Sequence, residues 1–223
     1  MATSARLQTV KEELEIPFGS LTLRGDLLVP EEPTGLVVFA HGSGSGRLSP
    51  RNRFVAEVVR RKNIGTLLFD LLTEEEEAVD IHTRHLRFDI DLLAQRLIAV
   101  TRWIAEQQDT ESLPIGFFGA STGAGAALVA AAEFGSTVKA VVSRGGRPDL
   151  AGDALERVES PVLLIIGGND EPVIALNEEA YKRLRGTSEI KIVPGASHLF
   201  EEPGTLETAA QLATDWFERY LPS

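Results

Sequence analysis

Three residues of this chain have the types, order and surroundings that acyl chemistry on a serine requires: Ser121, Asp170 and His198. Ser121 stands in Gly119-Ala120-Ser121-Thr122-Gly123, after an apolar run at 115–118 and before a small-residue stretch at 126–132. Small neighbours allow a serine to occupy a sharp strand-to-helix turn in strained backbone, with its hydroxyl raised clear of the sheet. The N-terminus of the helix that follows offers N–H groups to negative charge. A serine hydroxyl is a weak nucleophile until a base takes its proton, so a histidine and an orienting carboxylate must accompany it. Of the four histidines only His198 lies beyond Ser121, in Pro194-Gly195-Ala196-Ser197-His198 just past an apolar run at 190–193. Asp170 closes Gly167-Gly168-Asn169-Asp170 after another run at 162–166, with Glu171 the next acid in reach. Each of the three follows a strand-like run, which places them at the carboxyl edge where open α/β sheets gather their reactive groups.

A tetrahedral intermediate on Ser121 would need N–H donors for its oxyanion, each worth about 3–4 kcal/mol. The residue after the nucleophile, Thr122, supplies one. The second is expected from His41-Gly42-Ser43-Gly44-Ser45-Gly46, at Ser43 and, failing that, Gly44. His41 itself reads as a hydrogen-bonded structural residue. As a phosphate loop this stretch lacks the lysine spacing, and it is not the G-x-G-x-x-G dinucleotide pattern. Gly119, Gly123 and Gly125 also fit the nucleotide loop of short-chain dehydrogenases. Several strands precede them, however, and neither Tyr181 nor Tyr220 has a lysine four places on.

Other polar residues bear on the substrate. Arg144 and Arg147 follow the run at 140–142, and Arg47, Arg51 and Arg53 follow the glycine loop. Basic groups around the mouth of the site would suit an anionic substrate, unless the arginines pair with Asp149, Glu57 or other acids. His82 and His85, beside Asp80 and Asp89, read as residues near a helix start rather than metal ligands, and His85 is a candidate to line the pocket. No metal and no cofactor is expected. Only residues 144–160 separate the run at 140–142 from the next, too few for a large cap, so the site should be open and suited to small or extended acyl groups.

The elements that must position these groups can be traced by hydrophobic pattern. Apolar runs without alternation at 36–40, 66–69, 115–118, 140–142, 162–166 and 190–193 read as strands buried on both faces. Ile90, Leu93, Leu97, Val100 and Ile104 share one face of a helix between them, and 205–221 is a second amphipathic helix. Thr73 ahead of Glu74, Glu75, Glu76 and Glu77 marks a solvated helix start. Residues 14–16 and 21–29, joined through Phe18-Gly19-Ser20, form an antiparallel hairpin. The expected fold is therefore α/β: a mainly parallel sheet with an antiparallel N-terminal hairpin, helices on both faces and no large cap. The length of 223 residues suits a single domain over 1–223. A net charge of −11 opposes general binding to nucleic acid or anionic lipid. No apolar run approaches membrane-spanning length, and the opening residues lack a signal-peptide pattern, which together suggest a cytoplasmic location. The absence of cysteine excludes disulfides and thiolate sites.

The HGSGSG loop, Leu68-Phe69-Asp70, GASTG, PVLLIIGGND and PGASH together resemble the dienelactone hydrolase family of α/β-hydrolases, over nearly the whole chain. The resemblance implies an α/β-hydrolase fold, a Ser121–His198–Asp170 triad and an oxyanion hole from the backbone of Ser43 and Thr122. It implies hydrolysis of a small carboxylic ester, thioester or lactone, without a cofactor. Enzymes that open dienelactones usually carry cysteine at the nucleophile position, so serine here separates the family from that reaction. Acyl transfer or perhydrolysis on the same triad is the alternative enzyme reading, and a non-catalytic binding protein is the alternative of another class.

Overall fold

The computed structural model describes residues 10–221. Strand β1 (Val10–Phe18) turns through Gly19-Ser20 into β2 (Leu21–Val29). Gly19 takes φ +58, the left-handed conformation that a two-residue hairpin turn demands. There follow β3 (Gly35–Ala40), α1 (Pro50–Arg60), β4 (Ile64–Phe69), α2 (Glu74–Thr83) and α3 (Ile90–Ile104). After these come β5 (Ile115–Ala120), α4 (Thr122–Phe134), β6 (Val138–Arg144), β7 (Val162–Gly167), α5 (Glu171–Arg183), β8 (Ser188–Val193) and α6 (Thr205–Tyr220).

All eight strands lie in one sheet of order β1-β2-β4-β3-β5-β6-β7-β8. The strands from β3 onward pair in parallel, whereas β1 with β2 and β2 with β4 are antiparallel. This is the arrangement the apolar runs predict, with its antiparallel pair at one edge. Every residue of β3, β4, β5 and β7 is buried, because helices cover the sheet on both sides. One apolar layer joins Leu93, Leu97, Val100 and Ile104 of α3 to Leu128 and Ala131 of α4. The other layer joins Val55 and Val59 of α1 to Trp216 and Phe217 of α6.

Two elements depart from the sequence reading. The run at 190–193 is not buried on both faces: β8 is the outermost strand, with Lys191 and Ile192 exposed. Its place at the border of the sheet decides this, and Glu189 and Lys191 within the strand are the local signs of it. The acidic helix α2 is capped as expected, with the Thr73 hydroxyl accepting from Glu76 N and the Glu76 carboxylate accepting from Thr73 N at 2.9 Å. Yet Glu76 is not a free solvated charge, for it also accepts from the buried Arg96 of α3 at 2.6 Å. Between β6 and β7 lies only a short 3-10 segment, Pro148–Arg157, so no helical cap covers the carboxyl edge there.

Candidate active site

Ser121 sits between β5 and α4 at φ 50 and ψ −123, a positive φ that a non-glycine residue adopts only under strain. Close backbone packing at the flanking glycines accompanies this conformation. A Cβ at Gly123 would fall 2.2 Å from Ala40 O, and one at Gly119 would fall 2.4 Å from Ala124 Cα. Only glycine therefore lets α4 start so close to the end of β3. Around the strained residue, Ser121 O accepts from Arg147 N at 3.0 Å and from Ala124 N at 3.1 Å.

The structure brings His198 and Asp170 together: Nδ1 of His198 lies 2.7 Å from Oδ2 of Asp170. Their loops are laced by backbone bonds, Gly168 N to Val193 O at 2.9 Å and Asn169 N to Ala196 O at 2.9 Å. Gly167 permits this contact, since a Cβ there would meet Ala196 O and Ser197 O at 2.5 Å. Glu202 accepts from Ser197 N at 2.9 Å and tightens the histidine turn from the far side. The Asp170 side chain is 13% exposed and that of His198 39%, an inner carboxylate with an outer imidazole. Glu171 becomes the first residue of α5 and leaves the contact to Asp170. A carboxylate on Nδ1 fixes the tautomer that leaves Nε2 free to accept a proton. Gly145, at the end of β6, passes close by, where an added Cβ would stand 3.8 Å from His198 Cε1. Ser121 and His198 are not hydrogen-bonded in this structure, which unliganded sites commonly show before substrate tightens them.

Ser43, Gly44 and Thr122 line one recess of about 10 Å³, walled by Leu71 and Leu93. Such a volume holds about one water-sized oxygen. Thr122 is the first residue of α4, so its backbone N–H has no intrahelical acceptor. The recess opens beside a larger cleft of about 530 Å³; Ser43, Gly44 and Glu77 line both, and Arg47, Arg51 and Asp70 line the cleft. His41 braces the loop from inside. It is buried, its Nε2 accepts from Leu71 N at 2.9 Å, and its Nδ1 lies 2.9 Å from Gly42 O. Burial pushes its pKa below the usual imidazole value, so it stays neutral.

The arginines separate into two groups. Arg147 is clamped by Asp149 through Nε at 2.8 Å and Nη2 at 2.7 Å. Arg47 pairs with Asp70 at 2.7 Å, and Arg53 with Asp26 at 2.9 Å. Arg144, by contrast, is buried with no ion pair among the described residues. His85 does not reach the cleft: it is exposed and bonds Thr83 Oγ1 at 2.7 Å. Two residues later Arg87, which sequence reasoning did not single out, lines the recess with its Nη1 3.2 Å from where a Gly44 Cβ would lie. Its anchor is Asp80, fully buried and also accepting from Leu86 N at 2.7 Å.

An eight-stranded, mainly parallel sheet with a strained serine after β5 defines the α/β-hydrolase fold. The chain belongs to the dienelactone hydrolase family, whose model matches residues 54–221. It is similar to the crystal structure of a dienelactone hydrolase from Anabaena variabilis, at TM-score 0.94 and 57% identity over 96% of this chain and 99% of that one. It is also 60% identical over 210 residues to a Mycobacterium tuberculosis protein provisionally named a phosphoribosyl transferase, covering 94% of this chain and 46% of that protein. The chain thus spans about half the length of the curated relatives it matches. Est1E from Butyrivibrio proteoclasticus shares the fold alone, with TM-score 0.78 and 16% identity over 93% of this chain and 98% of that one.

Proposed function

We propose that the protein is a serine hydrolase that cleaves small carboxylic esters, thioesters or lactones through an acyl-enzyme. The observation that carries this reading is the strained Ser121 at the end of β5, with a His198–Asp170 pair at 2.7 Å beyond β8 and β7 of the same sheet edge. Ser121 Oγ attacks the substrate carbonyl carbon while His198 Nε2 takes its proton, and Asp170 stabilises the imidazolium that forms. The N–H groups of Ser43 and Thr122 hold the oxyanion. Collapse expels the alcohol, thiol or ring oxygen with the proton from His198. Water, deprotonated by the same base, then releases the acid. The uncapped edge admits water freely, which favours hydrolysis over transfer to another acceptor. The transferase name borne by the longer relatives describes proteins about twice the length of the segment matched, and the Ser121 site gives this segment chemistry of its own.

The test is reaction with a fluorophosphonate probe read by intact mass, alongside 4-nitrophenyl acetate turnover, on wild type and Ser121→Ala. One adduct and turnover on wild type, both absent from the variant, are the expected result. A wild type that neither labels nor turns over would overturn the reading in favour of a binding protein.

A further inference from the structure

The turn Arg144-Gly145-Gly146-Arg147, where β6 ends, touches the segments that carry all three candidate triad residues. Arg144 O accepts from Ser121 N at 3.4 Å and Arg147 N donates to Ser121 O at 3.0 Å, so the turn holds the strained serine from both sides. Gly145 N donates to Ile165 O of β7, the strand that leads to Asp170, at 2.7 Å. A Cβ added to Gly145 would stand 3.0 Å from His198 O and 3.4 Å from Cε2 of Phe200. Gly146 O accepts from the buried Asn177 of α5, the helix that Asp170 precedes, at 3.0 Å. The backbone of the turn thus has its partners in the site. The Arg144 side chain lines neither the recess nor the cleft, which places it behind the site rather than in contact with substrate.

Arg144 is only 7% exposed, and its Nε and Nη1 are buried without a hydrogen-bond partner. Burial, with the charge of Arg51 adding to it, lowers its pKa to about 10, so it stays charged at neutral pH. An apolar side chain of similar length would fill the same space without the cost of a buried, unpaired charge. The guanidinium does meet two aromatic rings, 6.0 Å from the Phe118 centroid and 5.8 Å from that of Phe200. Phe118 stands three residues before Ser121, and Phe200 two after His198. Phe200, like Ser121, is at positive φ, 56, a conformation that costs a non-glycine residue energy unless its surroundings hold it. Ring faces attract a cation more strongly when it is desolvated, and a cation between two of them draws both toward itself.

We propose that Arg144 is a positioning residue: its guanidinium, seated between Phe118 and Phe200, ties the histidine loop to the nucleophile strand and so sets the approach of His198 Nε2 to Ser121 Oγ. The proposal rests on the reading of Ser121 as a nucleophile served by His198. A charge is retained without a counter-ion because an aliphatic side chain would pack there but would not bind both rings. A displacement of about 1 Å between a base and its nucleophile costs on the order of 10²-fold in rate. A link of this kind therefore acts on kcat without touching the cleft that binds substrate.

The experiment measures kcat and KM for 4-nitrophenyl acetate, the rate of fluorophosphonate labelling and the melting temperature. The proteins are wild type, Arg144→Met, Arg144→Lys, Phe200→Leu and the double variant joining Arg144→Met to Phe200→Leu. Arg144→Met should lower kcat and the labelling rate about ten- to hundredfold, with KM within about twofold of wild type. Its melting temperature should hold or rise, because a buried unpaired charge has been removed. A residue with only a structural part would lose stability and activity together. Arg144→Lys, whose ammonium still meets the ring faces, should regain most of the lost rate. Phe200→Leu should lower kcat by itself but add little to Arg144→Met, the non-additive pattern of two groups acting as one link. Wild-type kcat in Arg144→Met, or single losses that simply add in the double variant, would overturn the positioning role and leave the hydrolase reading standing. If Arg144→Met fails to fold, an unchanged kcat in Phe200→Leu overturns it as well. A wild type that neither labels nor turns over removes the hydrolase reading and the positioning role with it.

Discussion

Burying an imidazole turns it from a base into a bracket, and His41 and His198 divide along that line. His41 is sealed in, held neutral by desolvation and committed at both nitrogens to the loop that carries Ser43. His198 is half-exposed and committed at Nδ1 alone. His41→Leu should therefore leave Leu71 N without a buried acceptor and cost about 1–3 kcal/mol of stability, with turnover falling as the loop loosens. Asp170→Asn should leave the melting temperature nearly unchanged while lowering kcat about 10⁴-fold, through the wrong histidine tautomer. Chemical denaturation and steady-state kinetics on the two variants check both. The candidate trio was legible in the sequence because each member abuts an apolar run and only one histidine follows the serine. The fate of the arginines was less legible. Arg147 finds Asp149 two positions away, but the isolation of Arg144 depends on Phe118, Phe200 and Arg51, which come from three other segments.

Helix α2 shows how an element can be held by charge where apolar burial is missing. Asp80 is its one buried residue, and Val79 and Ile81 are exposed. Two ion pairs with buried members anchor it, Glu76 to Arg96 and Asp80 to Arg87, beside an exposed pair of Glu74 with Arg24. Arg96 is 1% exposed and also donates to Leu71 O, so Glu76→Gln would strand a buried charge. A loss of about 3–5 kcal/mol is expected, readable as a shift in the urea midpoint. Acid should act on the same anchors. Burial pushes the Asp80 carboxyl up, but hydrogen bonds from Arg87 and from the Leu86 and Arg87 amides outweigh it and hold it below the usual range. The stability so contributed is complete above the unfolded carboxyl value of about 3.9, and is lost as pH falls through the lower folded value. Asp80→Asn should flatten the pH dependence of the urea midpoint below about pH 4. The sequence marked the start of this helix through Thr73 and Glu76, which are local signals. It could not mark Arg96, twenty residues away, as the charge Glu76 would meet. The edge position of β8 was more legible than its apolar residues suggest, since Lys191 interrupts Ile190, Ile192 and Val193 and a charge inside a short strand marks a border.

At the scale of the whole molecule, the open carboxyl edge sets what can be bound. In the proposed reaction the recess of about 10 Å³ beside Ser43 and Thr122 would take the carbonyl oxygen, and the segment between β6 and β7 supplies no helical cap to shield a long chain from water. The kcat/KM for 4-nitrophenyl esters should therefore fall steadily from acetate to decanoate, and a preference for decanoate would contradict the open-site account. The backbone at Ser121 bears on the whole fold as well. A residue held at φ 50 by its neighbours draws on the stability of everything packed around it, on the order of 1 kcal/mol or more. Glycine adopts that conformation without strain, so Ser121→Gly should abolish turnover and raise the melting temperature by about 2–4 °C. A variant with glycine at 121 would keep the fold while lacking the nucleophile that the proposed chemistry needs.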